Sequence, residues 1–274
     1  MYTINQSAEF VARIRRVIER LRVEGSMIAK SDGSTRDVRT VSITAGEGEA
    51  LAQWVLREKA TRTIEIGLAY GVSALHICRA LLESGNPEAR HVVLDPFQAG
   101  FGNCGLQVLE EAGVRSLVEF HAEASQIALP VFLKQERRFD FAFVDGNHRF
   151  DSVFVDLFYL GRLLRKGGVI FLDDYHLPGI RRAVSFYAKN LNWRVEQESA
   201  GDEDHHWIVL RTAEQTIPGT IATSSTFKLA RRPRTTTANG AAARQHGITL
   251  PMQWIDRRGR SSSPNRLSNH AFES

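Results

Sequence analysis

From Thr61 to Asp173 the chain repeatedly alternates a short apolar run of strand length with a stretch of helical spacing. The runs are Thr63–Ile66, His91–Asp95, Val118–His121, Phe139–Asp145 and Gly168–Asp173. Helical spacing follows in Val72–Glu83, Gly105–Ala112, within Ser125–Gln135, in Ser152–Leu164 and in Ile180–Asn190. Strands buried on both faces read as near-continuous apolar runs, and parallel neighbours need a crossover between them. The pattern predicts an α/β fold: a doubly wound, Rossmann-like sheet with helices on both faces. Trp193–Glu198 and Trp207–Arg211 are two more β-like runs, flanking the loop Ser199–His206. A short loop pairs its strands antiparallel, so the seven-stranded, mostly parallel sheet is expected to end in an antiparallel hairpin.

On either side of residues 61–212 the pattern changes. Residues 1–60 read as a helical cap: Phe10, Ile14, Val17, Ile18 and Leu21 form one apolar stripe, and Gly25 ends it. Lys30–Arg39 reads as a polar loop, and Glu47–Lys59 resumes helical spacing through Leu51, Trp54 and Val55. Residues 213–274 lose periodicity and are rich in Thr, Ser, Ala and Arg, a composition that reads as a basic, mostly disordered tail with Trp254 as its one docking hint. That tail carries nine basic and three acidic residues, so its charge is +6 against +4 for the whole chain. The remainder is slightly acidic, and the basic pI gives the folded part no case for binding nucleic acid. Two cysteines, Cys78 and Cys104, exclude a disulfide scaffold or a cysteine-based zinc cluster. No run of 18 apolar residues could span a membrane, and the first segment does not read as a signal peptide. The expected location is cytoplasmic.

The first strand runs into Gly67-Leu68-Ala69-Tyr70-Gly71-Val72-Ser73. In an open parallel sheet the turn after the first strand is the usual ligand cradle. Gly67 and Gly71 allow close backbone approach, and the helix that follows presents unpaired N–H groups. A nicotinamide dinucleotide fits poorly, because Leu68-Ala69 stand where G-x-G-x-x-G needs its second glycine. Glu65, just before the turn, would repel a pyrophosphate but suits a sulfonium or an amine. Asp95 ends the second strand, 28 residues after Gly67, where a carboxylate can accept both hydroxyls of a ribose.

Two later strand ends carry acids. Asp145 closes Phe139–Asp145, and Asp173-Asp174 close the next run. If these strands are parallel neighbours, three carboxylates gather at one sheet edge and need a cation to relieve their repulsion. Oxygen donors favour a hard dication, Mg²⁺ first, with Mn²⁺ or Ca²⁺ compatible. Phe154, Leu157, Phe158 and Leu160 read as core, Lys166-Gly167-Gly168 as a tight turn, and His205 and His206 as solvated beside Asp202, Glu203 and Asp204.

Together these residues resemble class I S-adenosylmethionine-dependent methyltransferases, in particular the small O-methyltransferases of the catechol and macrocin type, over about Thr61–Arg211. Glu65-x-Gly67-x3-Gly71 is similar to the family's first motif, with Ala69 inside the turn and Ser73 where the methionine carboxylate is often held. Asp95 matches the ribose acid, and Ser125-Gln126 resemble the segment that lines adenine. The resemblance implies the strand order 3-2-1-4-5-7-6 with strand 7 antiparallel. It aligns Asp145 and Asp173 with metal-binding aspartates. Asp174 stands where the catechol enzymes have Asn, and there the macrocin type is closer. The catechol enzymes' lysine position holds His148, whereas the macrocin type's histidine corresponds to His176, so His176 is the first choice for general base and His148 the second.

The implied activity is transfer of a methyl group from S-adenosyl-L-methionine to a hydroxyl of a small molecule (a sugar, a catechol or another natural product), assisted by Mg²⁺ or another dication. The N-terminal helices, with Trp54 and the Lys30–Arg39 loop, are expected to roof the acceptor pocket or to form a homo-oligomer contact. Two rivals stay open: a metal-independent N- or carboxyl-methyltransferase, which EDTA would leave active, and a non-catalytic protein that keeps the cofactor fold. A nicotinamide dehydrogenase ranks behind both.

Overall fold

The computed structural model describes residues 4–199 and 206–214. The expectations for residues 200–205, including Asp202, Glu203, Asp204 and His205, and for the tail from residue 215, including Trp254, lie outside the described residues.

The chain opens with α1 (Ile4–Glu24), a small antiparallel hairpin of β1 (Ser26–Ile28) and β2 (Thr35–Asp37), and α2 (Ala45–Arg57). The alternating region follows as β3 (Arg62–Ile66), α3 (Val72–Glu83), β4 (Arg90–Leu94), α4 (Cys104–Glu111), β5 (Val118–His121), α5 (Ser125–Lys134), β6 (Phe139–Val144), α6 (Phe150–Leu163), β7 (Leu164–Leu172) and α7 (Pro178–Asn190). The last strands are β8 (Arg194–Glu198) and β9 (Ile208–Arg211). Seven strands form one sheet in the order β5-β4-β3-β6-β7-β9-β8, and β9 runs antiparallel to both of its neighbours. The expected order and the expected terminal hairpin are both present.

Period-2 alternation sorts each strand onto two cores. Val93, Phe141, Phe143, Val169, Phe171 and Val209 face α1, α2, α3 and α4. Val92, Ala142, Val144, Ile170, Leu172 and Leu210 face α5, α6 and α7. The N-terminal stripe of Ile14, Val17 and Leu21 packs into the first of these cores. No described helix is long and apolar enough to cross a membrane, and both cysteines are buried and free.

Four local readings change. Lys30–Arg39 is not wholly a loop, because Thr35–Asp37 pairs with Ser26–Ile28; residues 30–34 and 38–39 lie outside the strands. Lys166-Gly167-Gly168 lie inside β7, which starts at Leu164. Phe158 is 39% exposed and stacks under the Arg162 guanidinium, so it is surface and not core. His206 is not simply solvated: its Nε2 lies 3.1 Å from Glu198 Oε1.

Candidate active site

Strand order reverses between β3 and β6, since β4 and β5 lie to one side and β7 to the other. Such a switch opens a crevice at the carboxyl ends of the strands. Backbone bonds tie those ends together: Gly67 N–H donates to Leu94 O at 2.9 Å, Asp145 N–H to Ile66 O at 2.9 Å, and Asp173 N–H to Val144 O at 3.0 Å. The strand ends that carry Gly67, Asp95, Asp145 and Asp173 therefore share one edge.

The turn after β3 has φ of +94° at Gly67, +43° at Ala69 and +77° at Gly71, a left-handed path that explains its glycines. Asp95 braces it. Its Oδ2 accepts from Leu68 N–H (3.1 Å), Ala69 N–H (3.0 Å) and the Gln98 amide (2.8 Å), and its Oδ1 accepts from Phe97 N–H (2.7 Å). Gln98 also donates to Ala69 O at 2.8 Å. Asp95 is thus buried among bonds that shape the cradle. Glu65 is also fully buried: His91 Nε2 lies 2.6 Å from its Oε2, and the Ser73 hydroxyl donates to its Oε1. Burial pushes the Glu65 carboxyl above the usual range, and His91 works against that shift. Ser125 opens α5 and hydrogen-bonds to the buried Asp156 on α6, while Gln126 beside it is exposed.

The acidic cluster forms, but its third member differs from expectation. Asp145, His148 and Asp174 bring a ligand atom each to within 4.8 Å of one another. His148 Nε2 lies 2.9 Å from Asp174 Oδ2 and 3.5 Å from Asp145 Oδ1. Asp173 turns to its own backbone, where its Oδ1 accepts from Asp174 N–H at 2.7 Å. This bond holds Asp174 in its left-handed conformation, φ +55°. Burial opposes charge on His148, but the two carboxylates outweigh it and push its pKa up to about 10. Two aspartates and an imidazole fit a divalent ion, and the nitrogen donor moves the preference from Mg²⁺ toward Mn²⁺ and the later first-row ions. His176 sits one step away, its Nδ1 3.9 Å from Asp174 Oδ1.

One cleft joins the two parts. It is lined by Gly67 to Ser73, by Asp145, and by Val41, Ser42 and Ile43 from the segment between β2 and α2. The sequence points to Trp54 and the Lys30–Arg39 loop as the roof of the acceptor pocket or as a homo-oligomer contact. Trp54 is instead buried, its indole N–H donating to Gln197 Oε1 at 2.9 Å. No spacing singles out residues 41–43; proximity alone reveals them. Gln98 carried a weak signal, a polar residue one turn beyond a strand-end acid. His91 carried a stronger one, an imidazole inside an apolar strand.

The chain is similar to several known proteins. The family model described as a methyltransferase domain matches residues 64–175. Tapetum-specific methyltransferase 1 of Arabidopsis thaliana is 32% identical over 135 residues, covering 49% of this chain and 55% of the relative. Caffeoyl-CoA O-methyltransferase of Populus kitakamiensis is 29% identical over 136 residues, with the same shares. Tricin synthase 2 of Oryza sativa subsp. japonica is 33% identical over 131 residues, covering 47% and 42%. The chain thus spans about half the length of the curated relatives it matches. Among solved structures, the O-methyltransferase TomG of Streptomyces achromogenes, in complex with S-adenosylmethionine, superposes with a TM-score of 0.57 at 22% identity, covering 73% of this chain and 89% of that one. The Bacillus cereus O-methyltransferase, in complex with S-adenosylhomocysteine, gives 0.56 at 18% identity, covering 73% and 90%. These two share the fold. Residues 64–175, the stretch that carries both the glycine turn and the acidic cluster, are thus similar to a methyltransferase domain and to relatives named as O-methyltransferases.

Proposed function

We propose that this chain methylates a hydroxyl of a small molecule, with S-adenosyl-L-methionine as donor and a divalent cation held by Asp145, Asp174 and His148. The observation that carries the reading is the convergence of those three side chains on one point, with Asp145 also lining the cleft beside Gly67–Ser73. When bound, the donor supplies a methyl group already activated by its sulfonium, and the dication lowers the pKa of a hydroxyl beside it.

The chain's own residues align and desolvate. Gly67, Ala69, Gly71 and Ser73 form the donor cradle, Asp95 and Gln98 fix its shape, and Ser125-Gln126, at the start of α5, are kept for the adenine end on the family resemblance alone. Val41–Ile43 narrow the cleft and help exclude water. His148 sits between the two acids and belongs with the donor set. His176 is then the residue to take the hydroxyl proton, a role for which an imidazole suits neutral pH. Asp173 acts through the backbone turn that presents Asp174. Similarity to proteins named for caffeoyl-CoA and tricin favours a phenolic hydroxyl over a sugar hydroxyl. Residues 1–60 would serve as cap, residues 61–212 as catalytic domain, and the cytoplasm as working compartment.

One observation favours a second reading. A protonated His148 already offsets the two aspartates, so the cluster can stand without a metal ion. Methyl-transfer assays of the full chain, with catechol, simple phenol and sugar acceptors, in EDTA and after Mg²⁺ or Mn²⁺ is restored, separate the two. The metal-assisted reading expects loss of turnover in EDTA and recovery on adding a dication. Full turnover in EDTA selects the second reading. Failure of the chain to bind S-adenosylhomocysteine would sink both.

A further inference from the structure

Beneath α3, four polar side chains form a buried line that ends at the cleft. Thr63 stands directly across the β3–β4 ladder from His91. Thr63 and Glu65 alternate with Ile64 and Ile66, which belong to the opposite core, so both reach the α3 side of the sheet. Thr63 Oγ1 lies 2.8 Å from His91 Nδ1, His91 Nε2 lies 2.6 Å from Glu65 Oε2, and Ser73 Oγ donates to Glu65 Oε1. Thr63, His91 and Glu65 are 0% exposed and Ser73 is 7% exposed; of the four, Ser73 lines the cleft.

Stability alone does not call for such a line. A parallel strand covered on both faces is ordinarily filled with apolar side chains, as Val92, Val93 and Leu94 fill this one. A buried carboxylate is costly even when paired, and an apolar replacement of the whole set is often neutral or stabilising. The imidazole has one evident effect: it occupies one carboxylate oxygen of Glu65 and so turns the other toward Ser73. The hydroxyl of Ser73 then spends its single proton on Glu65, and its lone pairs are left aimed in a fixed direction.

We propose that His91, held in place by Thr63, is a positioning residue of the donor pocket. It orients Glu65, and through Glu65 it fixes the Ser73 hydroxyl at the first turn of α3. This rests on the donor reading above; with its proton on Glu65, the Ser73 hydroxyl meets the α-ammonium of S-adenosylmethionine as an acceptor, and not the methionine carboxylate that the resemblance puts there.

The test uses the full chain and the variants Thr63→Val, His91→Leu and His91→Gln, with S-adenosylhomocysteine titrated calorimetrically and steady-state kinetics alongside thermal melts. His91→Leu is expected to raise the dissociation constant and the donor KM about tenfold, the size of a lost hydrogen bond to a buried charge. Thr63→Val should raise them about threefold, and kcat and the acceptor KM should stay within about twofold in both. In His91→Gln an amide N–H takes the place of Nε2–H, so binding should return to within about threefold of the parent chain. An unchanged dissociation constant in a folded His91→Leu chain would overturn the proposal. So would His91→Gln binding as weakly as His91→Leu, or a fall in kcat with donor KM unmoved. If His91→Leu does not fold, the near-isosteric Thr63→Val decides alone, and unaltered binding there is equally fatal. A parent chain that binds no S-adenosylhomocysteine removes the donor reading and this inference together, whereas tight parent binding with indifferent variants removes only the inference.

Discussion

The backbone carbonyl of Asp145 fills the space a side chain at Gly67 would need: a Cβ there would lie 2.0 Å from that oxygen. The donor turn and the first acid of the cluster are therefore packed as one unit, backbone against backbone. Gly67 also has φ +94°, where a side chain is strained even with room to spare. Gly67→Ala is expected to cost about 3 kcal/mol or more of stability and to abolish binding of S-adenosylhomocysteine, because the turn must move away from Asp145 to admit the methyl group. Urea melts and calorimetry measure the two effects. A Gly67→Ala chain that binds like the parent would show that the tight contact has no part in shaping the cradle.

Asp173 and Asp174 are neighbours with different work. Asp174 reaches His148, whereas Asp173 accepts the N–H of Asp174 itself. Asparagine keeps an accepting carbonyl but no charge. Asp174→Asn and Asp145→Asn should each weaken Mn²⁺ binding at least about tenfold, while Asp173→Asn should stay within about threefold of the parent. Electron paramagnetic resonance of free Mn²⁺ during titration reads all three. Equal losses in Asp173→Asn and Asp174→Asn would return Asp173 to the ligand set.

The sheet was legible because its information is local. Each strand is a short apolar run, each crossover has helical period, and the order follows from a small set of allowed topologies. Strand-end residues were legible for the same reason: Gly67, Asp95, Asp145 and Asp173 mark where β3, β4, β6 and β7 stop. Side-chain direction was not. Nothing in Asp173-Asp174 says which of the two faces inward; a left-handed φ at Asp174 decides it, and that depends on the Asp173 side chain closing the turn. The spacing of Asp145 and His148 likewise gave no hint that the imidazole would swing back between two acids. Residues 41–43 were invisible because their role comes from tertiary contact with a turn two dozen residues later.

Two buried titratable groups outside the cleft pull stability in opposite directions. Burial raises Asp156 to about 7, against the Ser125 hydrogen bond, so the folded chain holds a proton there that the unfolded chain has released. Between about pH 4 and pH 7 this makes stability fall as pH rises, by at most about 1.4 kcal/mol per pH unit, and the slope ends above the folded pKa. His76 behaves oppositely. Burial first, and Arg79 beside it, lower it to about 4, against the pull of Glu49. The unfolded chain therefore binds the extra proton between about pH 4 and pH 6.5, and stability rises with pH there. Asp156→Asn keeps an acceptor for Ser125 and removes the first slope. Urea melts from pH 4.5 to 8.5 should show this variant gaining on the parent as pH rises, with the gap flat above about pH 7. A gap that does not change with pH would mean Asp156 is ionised throughout the folded state.

His76 also explains a glycine inside a helix. Gly48 lies in α2, where glycine ordinarily costs about 1 kcal/mol relative to alanine. A Cβ at Gly48 would sit 2.4 Å from His76 Nε2, so the imidazole ring of α3 occupies the slot that glycine leaves. Helix propensity and packing thus point in opposite directions, and packing should win: overfilling a close-packed contact costs about 1–3 kcal/mol. Gly48→Ala is expected to destabilise the chain by about 2 kcal/mol, and His76→Ala by a similar amount through the cavity it leaves. In the double variant the new methyl group enters the space the ring vacated, so the combined loss should fall short of the sum by at least about 1 kcal/mol. Urea melts of all four chains at pH 7.5, where His76 is neutral folded or unfolded, keep proton uptake out of the comparison. Strict additivity would mean that α2 and α3 adjust independently around the two sites, and that the slot is filled by chance and not by fit.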